Sequence, residues 1–228
     1  MSAPLTNNET FRSIKKKQDD LVLAATDLAA IIFPYGVDPG PIVDDATGNI
    51  LPLVEGGLPL GEIQKQAGVE LSPEMSTEGV QGYGSRAQRR VFVTEEGFTI
   101  NLTVQEVTKI AYQMFMSIED EDIATEGKVT RLKKRPSGSV KYYTLVLIAK
   151  DLARTGEIFP FWVFHKVAIT QKGQMSLAEA SEMGMPLTFT VFEDGGEMFE
   201  IGLGGPGWPA LAEAAGFTVG ATDPETGP

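Results

Sequence analysis

Between residues 98 and 118 the period of hydrophobicity changes once, and that change limits what the chain can fold into. Phe98, Ile100, Leu102 and Val104 are apolar and alternate with Thr99, Asn101, Thr103 and Gln105. Strict alternation marks a strand with one buried face. Immediately afterwards Val107, Ile110, Ala111, Met114, Phe115 and Ile118 fall on one face of a helix, with Thr108, Lys109, Gln113 and Ser117 on the other. A strand that runs almost directly into an amphipathic helix must lay that helix on a sheet. The spacing predicts a helix over residues 106–117.

The remaining segments supply the sheet. Residues 142–150 are apolar on both faces, with Tyr143, Leu145 and Leu147 on one and Tyr142, Val146 and Ile148 on the other. Residues 158–170 and 187–192 read as further strands. Val91 to Val93 reads as a strand that turns at Glu95-Glu96-Gly97 into the strand at 98. Residues 72–85 are a polar, Gly-rich connection. Residues 21–33 are an apolar element whose period does not separate helix from strand. Residues 35–59 hold four prolines and Asp44-Asp45-Ala46-Thr47-Gly48-Asn49, a long loop with room for a short hairpin. Ser176 with Glu179 forms a capping-box pattern, and Gly184 closes a short helix. Residues 210–215 read as another short helix. The class is α+β, mainly antiparallel β with one main helix. One helix covers one sheet face. The doubly apolar strands require a second cover, either the sheet folded on itself as a sandwich or another subunit.

The chain has 228 residues and reads as one domain, 21–219, between a polar N-terminal arm over 1–20 and a C-terminal tail over 220–228. Both ends are expected to be flexible. Residues 21–33 are too short to cross a membrane and carry Asp27, and Asp19 and Asp20 spoil the signal-peptide look of Lys15 to Lys17.

Catalytic chemistry finds little footing. There is no Cys, so neither a disulfide nor a thiolate nucleophile. His165 is the single histidine and sits in strand alternation. One His without Cys or a second His makes a poor metal site. Gly202-Leu203-Gly204-Gly205-Pro206-Gly207 matches the dinucleotide G-x-G-x-x-G pattern. Too little chain follows for the returning strand and its acidic residue, so a loop is the better reading. No P-loop or Ser-His-Asp order is present, and neither a cofactor nor a metal is expected. Trp162, Trp208, Tyr83, Tyr142 and Tyr143 would suit a sugar-stacking platform, against the commoner use in a core or interface. The net charge of −12 disfavours holding nucleic acid through its phosphates. Within that acidic chain two charged runs face each other in sequence. Glu119, Asp120, Glu121 and Asp122 form one. Lys128, Arg131, Lys133, Lys134, Arg135 and Lys141 form the other, around a hairpin tip at Pro136-Ser137-Gly138. The acidic run reads as a solvated helix end and the basic run as a solvated hairpin, or as a patch for an acidic neighbour, with residues 119–122 one candidate partner.

Leu60-Gly61-Glu62-Ile63, Gly68-Val69-Glu70-Leu71, Gly82-Tyr83-Gly84, the strand and helix from 98 to 118, and the later blocks 142–149, 160–170, 176–185 and 187–192 resemble, in this order, the major tail protein of long-tailed, non-contractile bacteriophages. The resemblance covers residues 21–219 and lies in the order of the blocks. It implies a tail-tube-type β-barrel or sandwich with one flanking helix. It implies hexameric rings stacked into a tube, assembled in the host cytoplasm with the tape measure, tail terminator and tail tip proteins. Viral DNA would pass through the lumen without specific binding, and no enzyme activity is implied. The charged residues of 119–122 and 128–135 are then expected at subunit interfaces. A tail terminator, a baseplate hub subunit or a secretion-system tube protein is the alternative within that fold. A β-sandwich carbohydrate-binding module is the alternative outside it.

Overall fold

The computed structural model describes residues 7–52, 54–84, 86–136, 139–179 and 182–218. In chain order these form α1 (Asn7–Lys15), β1 (Asp27–Pro34), β2 (Leu58–Pro59), β3 (Val69–Gln81), β4 (Gln88–Val104), α2 (Lys109–Met116), β5 (Ile123–Glu126), β6 (Val129–Leu132), β7 (Tyr142–Ala153), β8 (Gly156–Lys172), β9 (Met185–Val191), β10 (Glu200–Gly204) and α3 (Pro209–Ala212). All strand pairs are antiparallel, so the protein is mainly antiparallel β with a few short helices, α+β in class.

The main sheet runs β2-β1-β7-β8-β9-β4-β3, and β10 joins β8. β8 forks the sheet. Phe159 to Val163 pair with β10, while Val167 to Lys172 pair with β9 on the same edge. The sheet also curls until its ends meet. β2 pairs Ile31 and Ile32 of β1, and Leu60 donates its amide to the Ala30 carbonyl. Three residues on, Ile63 bridges Val104 of β4, with Gln64 and Gln105 amides bonding across. The segment 58–64 therefore staples the β1 edge to the β4 edge. Ala30 and Ile32 consequently share a core with Phe98, Ile100, Leu102 and Val104, together with Leu145, Leu147, Phe164, Leu187 and Phe189.

The alternation at 98–104 appears as expected: the four apolar residues are buried and the intervening ones half-buried. α2 starts two residues after Val107, because Thr108 caps it, its Oγ1 accepting from the Ala111 amide at 3.2 Å. Val107 thus lies outside the helix and is exposed, contrary to the sequence expectation. Ser117 ends α2 in the left-handed region at φ 51°, which returns its amide to the Gln113 carbonyl. Ala111, Met114, Phe115 and Ile118 are buried against the sheet.

Several other expectations change. Residues 21–33 resolve into a short 3-10 turn at Asp19–Leu21 and the strand β1. β1 is a strand because both its faces are covered, which also explains its continuous apolar run. The polar arm holds the helix α1 over 7–15; residues 1–6 and the tail from 219 lie outside the described residues. No turn occurs at Glu95-Glu96-Gly97, where β4 runs straight through, nor is 72–81 a connection, since it belongs to β3. Paired backbone bonds rather than an apolar pattern hold those residues as strand. The capping box at Ser176 starts no helix among the described residues. Residues 176–179 are exposed, Leu177 by 76%, and so short a helix is marginal unsupported. Glu182 instead ties the segment down, accepting from the side-chain amides of Gln64 and Gln105.

The sheet folded on itself covers one face of these strands, and the chain's own long loop covers the other. Ile31 and Phe33 of β1, Val146 and Ile148 of β7, and Phe159 and Val163 of β8 form a second core on the opposite face, closed by Ile42 and Val43 of the long loop. That loop is thus anchored to its own chain. It contains the short hairpin, with Val43 bridging Ile50 and the Asp44 carboxylate accepting from the Ala46 and Thr47 amides and the Thr47 hydroxyl.

Candidate assembly surfaces

The charged runs of the sequence meet within one chain. The acidic run forms a 3-10 turn, Asp120–Asp122, just after α2. The start of the basic run forms the turn and second strand of the small β5–β6 hairpin, whose turn is at Gly127-Lys128. Ser137 and Gly138 lie outside the described residues. A Gly at φ 62° supplies the left-handed position that this tight turn needs. The chain then returns along the acidic turn. Lys141 pairs with Glu119, Arg135 reaches Asp122 at 2.8 Å, and Lys109 of α2 reaches Asp120 at 2.7 Å. Lys134 Nζ donates to the Ser117 carbonyl at 3.0 Å, and Lys172 donates to the Ser117 hydroxyl. Cations thus gather at the C-terminal end of α2, where the helix dipole favours them.

These pairs leave marks on the titrating groups. Hydrogen bonds from Lys109 and Gln113 pull the Asp120 carboxyl below its ordinary range. The bond to Glu119 raises Lys141, and burial pushes Lys172 down. Asp122 is buried, its Oδ1 makes no hydrogen bond, and Arg135 supplies the counter-charge. Arg131 pairs with Glu126 across the small hairpin at 3.4 Å. Of the expected interface residues, Lys128, Lys133 and Glu121 are exposed, the first two on or beside that hairpin. What the sequence pattern missed is that the partner of the basic run was thirteen to twenty-two residues away on the same chain. Its proximity to an acidic run of matching size was the available signal.

An uncovered apolar surface lies elsewhere, on the β3–β4 hairpin. β3 and β4 form a hairpin of 13 and 17 residues, of which only the base is in the body. At the base Val69 opposes Leu102, Leu71 opposes Ile100 and Pro73 opposes Phe98, all on the face of the main core. Beyond Glu74 and Gly97 the two strands project as a ribbon, residues 75–81 against 88–96, about 24 Å at strand rise. The core face continues outward along it as Met75, Thr77 and Gly79, with Val93 and Val91 opposite the last two. Met75 is 67% exposed and both valines 57%. On the other face Arg90 lies 4.8 Å over the Phe92 ring. The tip carries a fully exposed Tyr83 with Arg86 and Arg89. The outer edge of β3 ends the sheet, so its ladder groups are open to a further strand. A two-stranded ribbon is marginal alone in water, and a core face continued into solvent asks for a partner.

The remaining sequence candidates have structural roles. His165 is half-buried in β8, and its carbonyl accepts from the Thr144 hydroxyl at 2.8 Å. The Gly-rich motif is β10 and the turn after it. A Cβ on Gly205 would lie 2.4 Å from the Glu157 carbonyl oxygen, and one on Gly207 would lie 2.8 Å from Gly156 backbone. Close backbone packing on the β7–β8 turn, not a phosphate, explains those glycines. The aromatics do not form one platform: Trp162 packs on the main core, Trp208 stacks edge-on with Phe217 at 5.6 Å, and Tyr83 sits on the ribbon tip. Among the described residues no group of three His, Cys, Asp or Glu could hold a metal ion, and no helix is long and apolar enough to cross a membrane.

A family model described as phage tail tube protein matches residues 58–199, more than half of the chain. That range starts at β2 and ends just before β10, so it takes in the ribbon, α2 and the forked sheet. No curated protein matches the sequence. Among solved structures, a chain in the cryo-electron microscopy structure of the anti-feeding prophage baseplate, six-fold symmetrised, is similar with a TM-score of 0.41 at 10% identity, over 80% of this chain and 95% of that one.

Proposed function

This chain belongs to the phage tail tube protein family, and from that premise we propose that its copies form six-membered rings, stacked into the tube of a long, non-contractile tail that delivers the genome. It is a structural component of the virion tail, not an enzyme. The finer points rest on the resemblance and on physical argument: six subunits per ring, a lumen that conducts viral DNA without specific binding, and contacts with tape measure, terminator and tip proteins. A chain of net charge −12 suits a conduit that must not retain a polyanion. Residues 21–219 act as the tube domain, and Lys128, Lys133 and Glu121 meet neighbouring subunits.

The observation that carries the reading is the β3–β4 ribbon. It extends a core face about 24 Å into solvent, which a neighbouring copy would cover. Replacing Met75 and Val91 with Glu puts charges on that face without touching a buried residue. The double variant should keep the parent's melting temperature and lose tubes in negative-stain micrographs and fast species in sedimentation. Tubes formed by the variant as readily as by the parent would overturn the role of the ribbon. A parent that stays monomeric at millimolar concentration, with tail partners supplied, would overturn self-assembly itself.

A further inference from the structure

Two apolar surfaces of this chain lack a cover, and they match. The first is α1. Phe11 and Ile14, one turn apart on one face, are 62% and 74% exposed, and every side chain of α1 described is exposed. Arg12, Lys15, Lys16 and Lys17 give this end of the chain a concentrated positive charge. The second is a groove of about 460 Å³ between β10 and α3, lined by Ile201, Leu203, Trp208, Pro209, Ala212 and Phe217. Ile201 is 56% exposed and Phe217 55%. Residues 200–218, which build the groove, hold Glu200 and Glu213 and no Lys or Arg.

We propose that α1 of one copy docks in the β10–α3 groove of a second copy, with Phe11 and Ile14 in the groove and the basic end of the helix against its acidic surroundings. Helix-in-groove docking reads a pair of apolar anchors on one helical face, and opposite charge at the rim fixes the orientation. The other apolar groove, lined by Pro34, Tyr35, Leu58, Ile110, Tyr142 and Tyr143, is unsuited. Lys141, paired with Glu119, lines it, and Lys166 lies 5.2 Å over the Tyr142 ring with Asp194 bonded to Tyr35 beside it, so its rim is of mixed sign and does not orient a basic helix. The proposal rests on the self-assembly reading and adds a second tether between copies, independent of the ribbon.

The absence of cysteine makes the test direct. One differently tagged copy carries Ile14→Cys and the other Ile201→Cys, and the two are mixed, assembled and oxidised. A disulfide joining the two tags in assembled material is expected, and none with Lys166→Cys in place of Ile201→Cys. Tubes without that cross-link overturn α1 docking while leaving the self-assembly reading intact; a monomer at every concentration overturns both. A doubly substituted chain that closes on itself as a monomer, as efficiently as the mixture joins, places α1 on its own groove and overturns the inter-copy proposal. Independently, Phe11→Ala with Ile14→Ala should leave the melting temperature unchanged and raise the critical concentration for assembly at least about tenfold. An unchanged critical concentration overturns the proposal.

Discussion

Asp122 shows how a single residue redirects the meaning of a charged run. Its carboxylate is buried, while the Arg135 side chain that neutralises it is 68% exposed. Removing the arginine leaves a buried charge without a counter-ion, the costly direction of such an exchange. Arg135→Ala should lower stability by about 1–3 kcal/mol in chemical denaturation. Reversal of Lys133, Lys134 and Arg135 to Glu should lower the melting temperature as well, because two of the three residues serve the fold at Ser117 and Asp122. An unaltered melting temperature for the triple variant would return those residues to a surface role alone. Asp44 makes the pH argument. The Thr47 hydroxyl and amide, with the Ala46 amide, bond its ionised carboxyl and hold its pKa below the ordinary aspartate value. A depressed carboxyl stabilises the turn above the unfolded pKa, and that contribution is lost as pH falls through the folded pKa. The Thr47 amide resonance should therefore titrate with a midpoint below that of a free aspartate, and Asp44→Asn should abolish the titration.

At the scale of elements, α2 and the ribbon differ in where their stability comes from. α2 is eight residues long, too short to persist by itself, and is held by its caps, by the cations at its end and by one buried face. Phe115 is 7% exposed on that face. Phe115→Ala should cost about 3–5 kcal/mol, read from the denaturation midpoint. The ribbon beyond Glu74 and Gly97 buries almost nothing, so its amides should exchange quickly in the monomer and slowly in the tube, whereas those of β7 and β8 are protected in both.

For the whole molecule the two cores share β1, β7 and β8, each covered on both faces. Neither core can open without exposing the other. Residues 27–212 should accordingly unfold in one transition. In a Trp162→Phe variant, the fluorescence of Trp208, beside the second core's side of β8, should follow far-ultraviolet circular dichroism with the same midpoint. Separated midpoints would mean that the β10–α3 region unfolds by itself.

The strand at 98–104, the face of α2, the doubly apolar β7 and β8 and the α+β class follow from local period alone, because burial on one or two faces of a regular element imprints itself on consecutive side chains. The order of the blocks also carried the family. Three things were invisible to local period. The β3 half of the ribbon has no apolar alternation, since it is held by the backbone of β4. The second core depends on Ile42 and Val43, two residues in a loop whose composition announces only turns. The charged runs depend on the Gly127-Lys128 turn, which folds the basic return strand back beside residues 119–122. In each case the deciding contact joins segments whose pairing no window of sequence contains, and only the closed sheet brings them within reach.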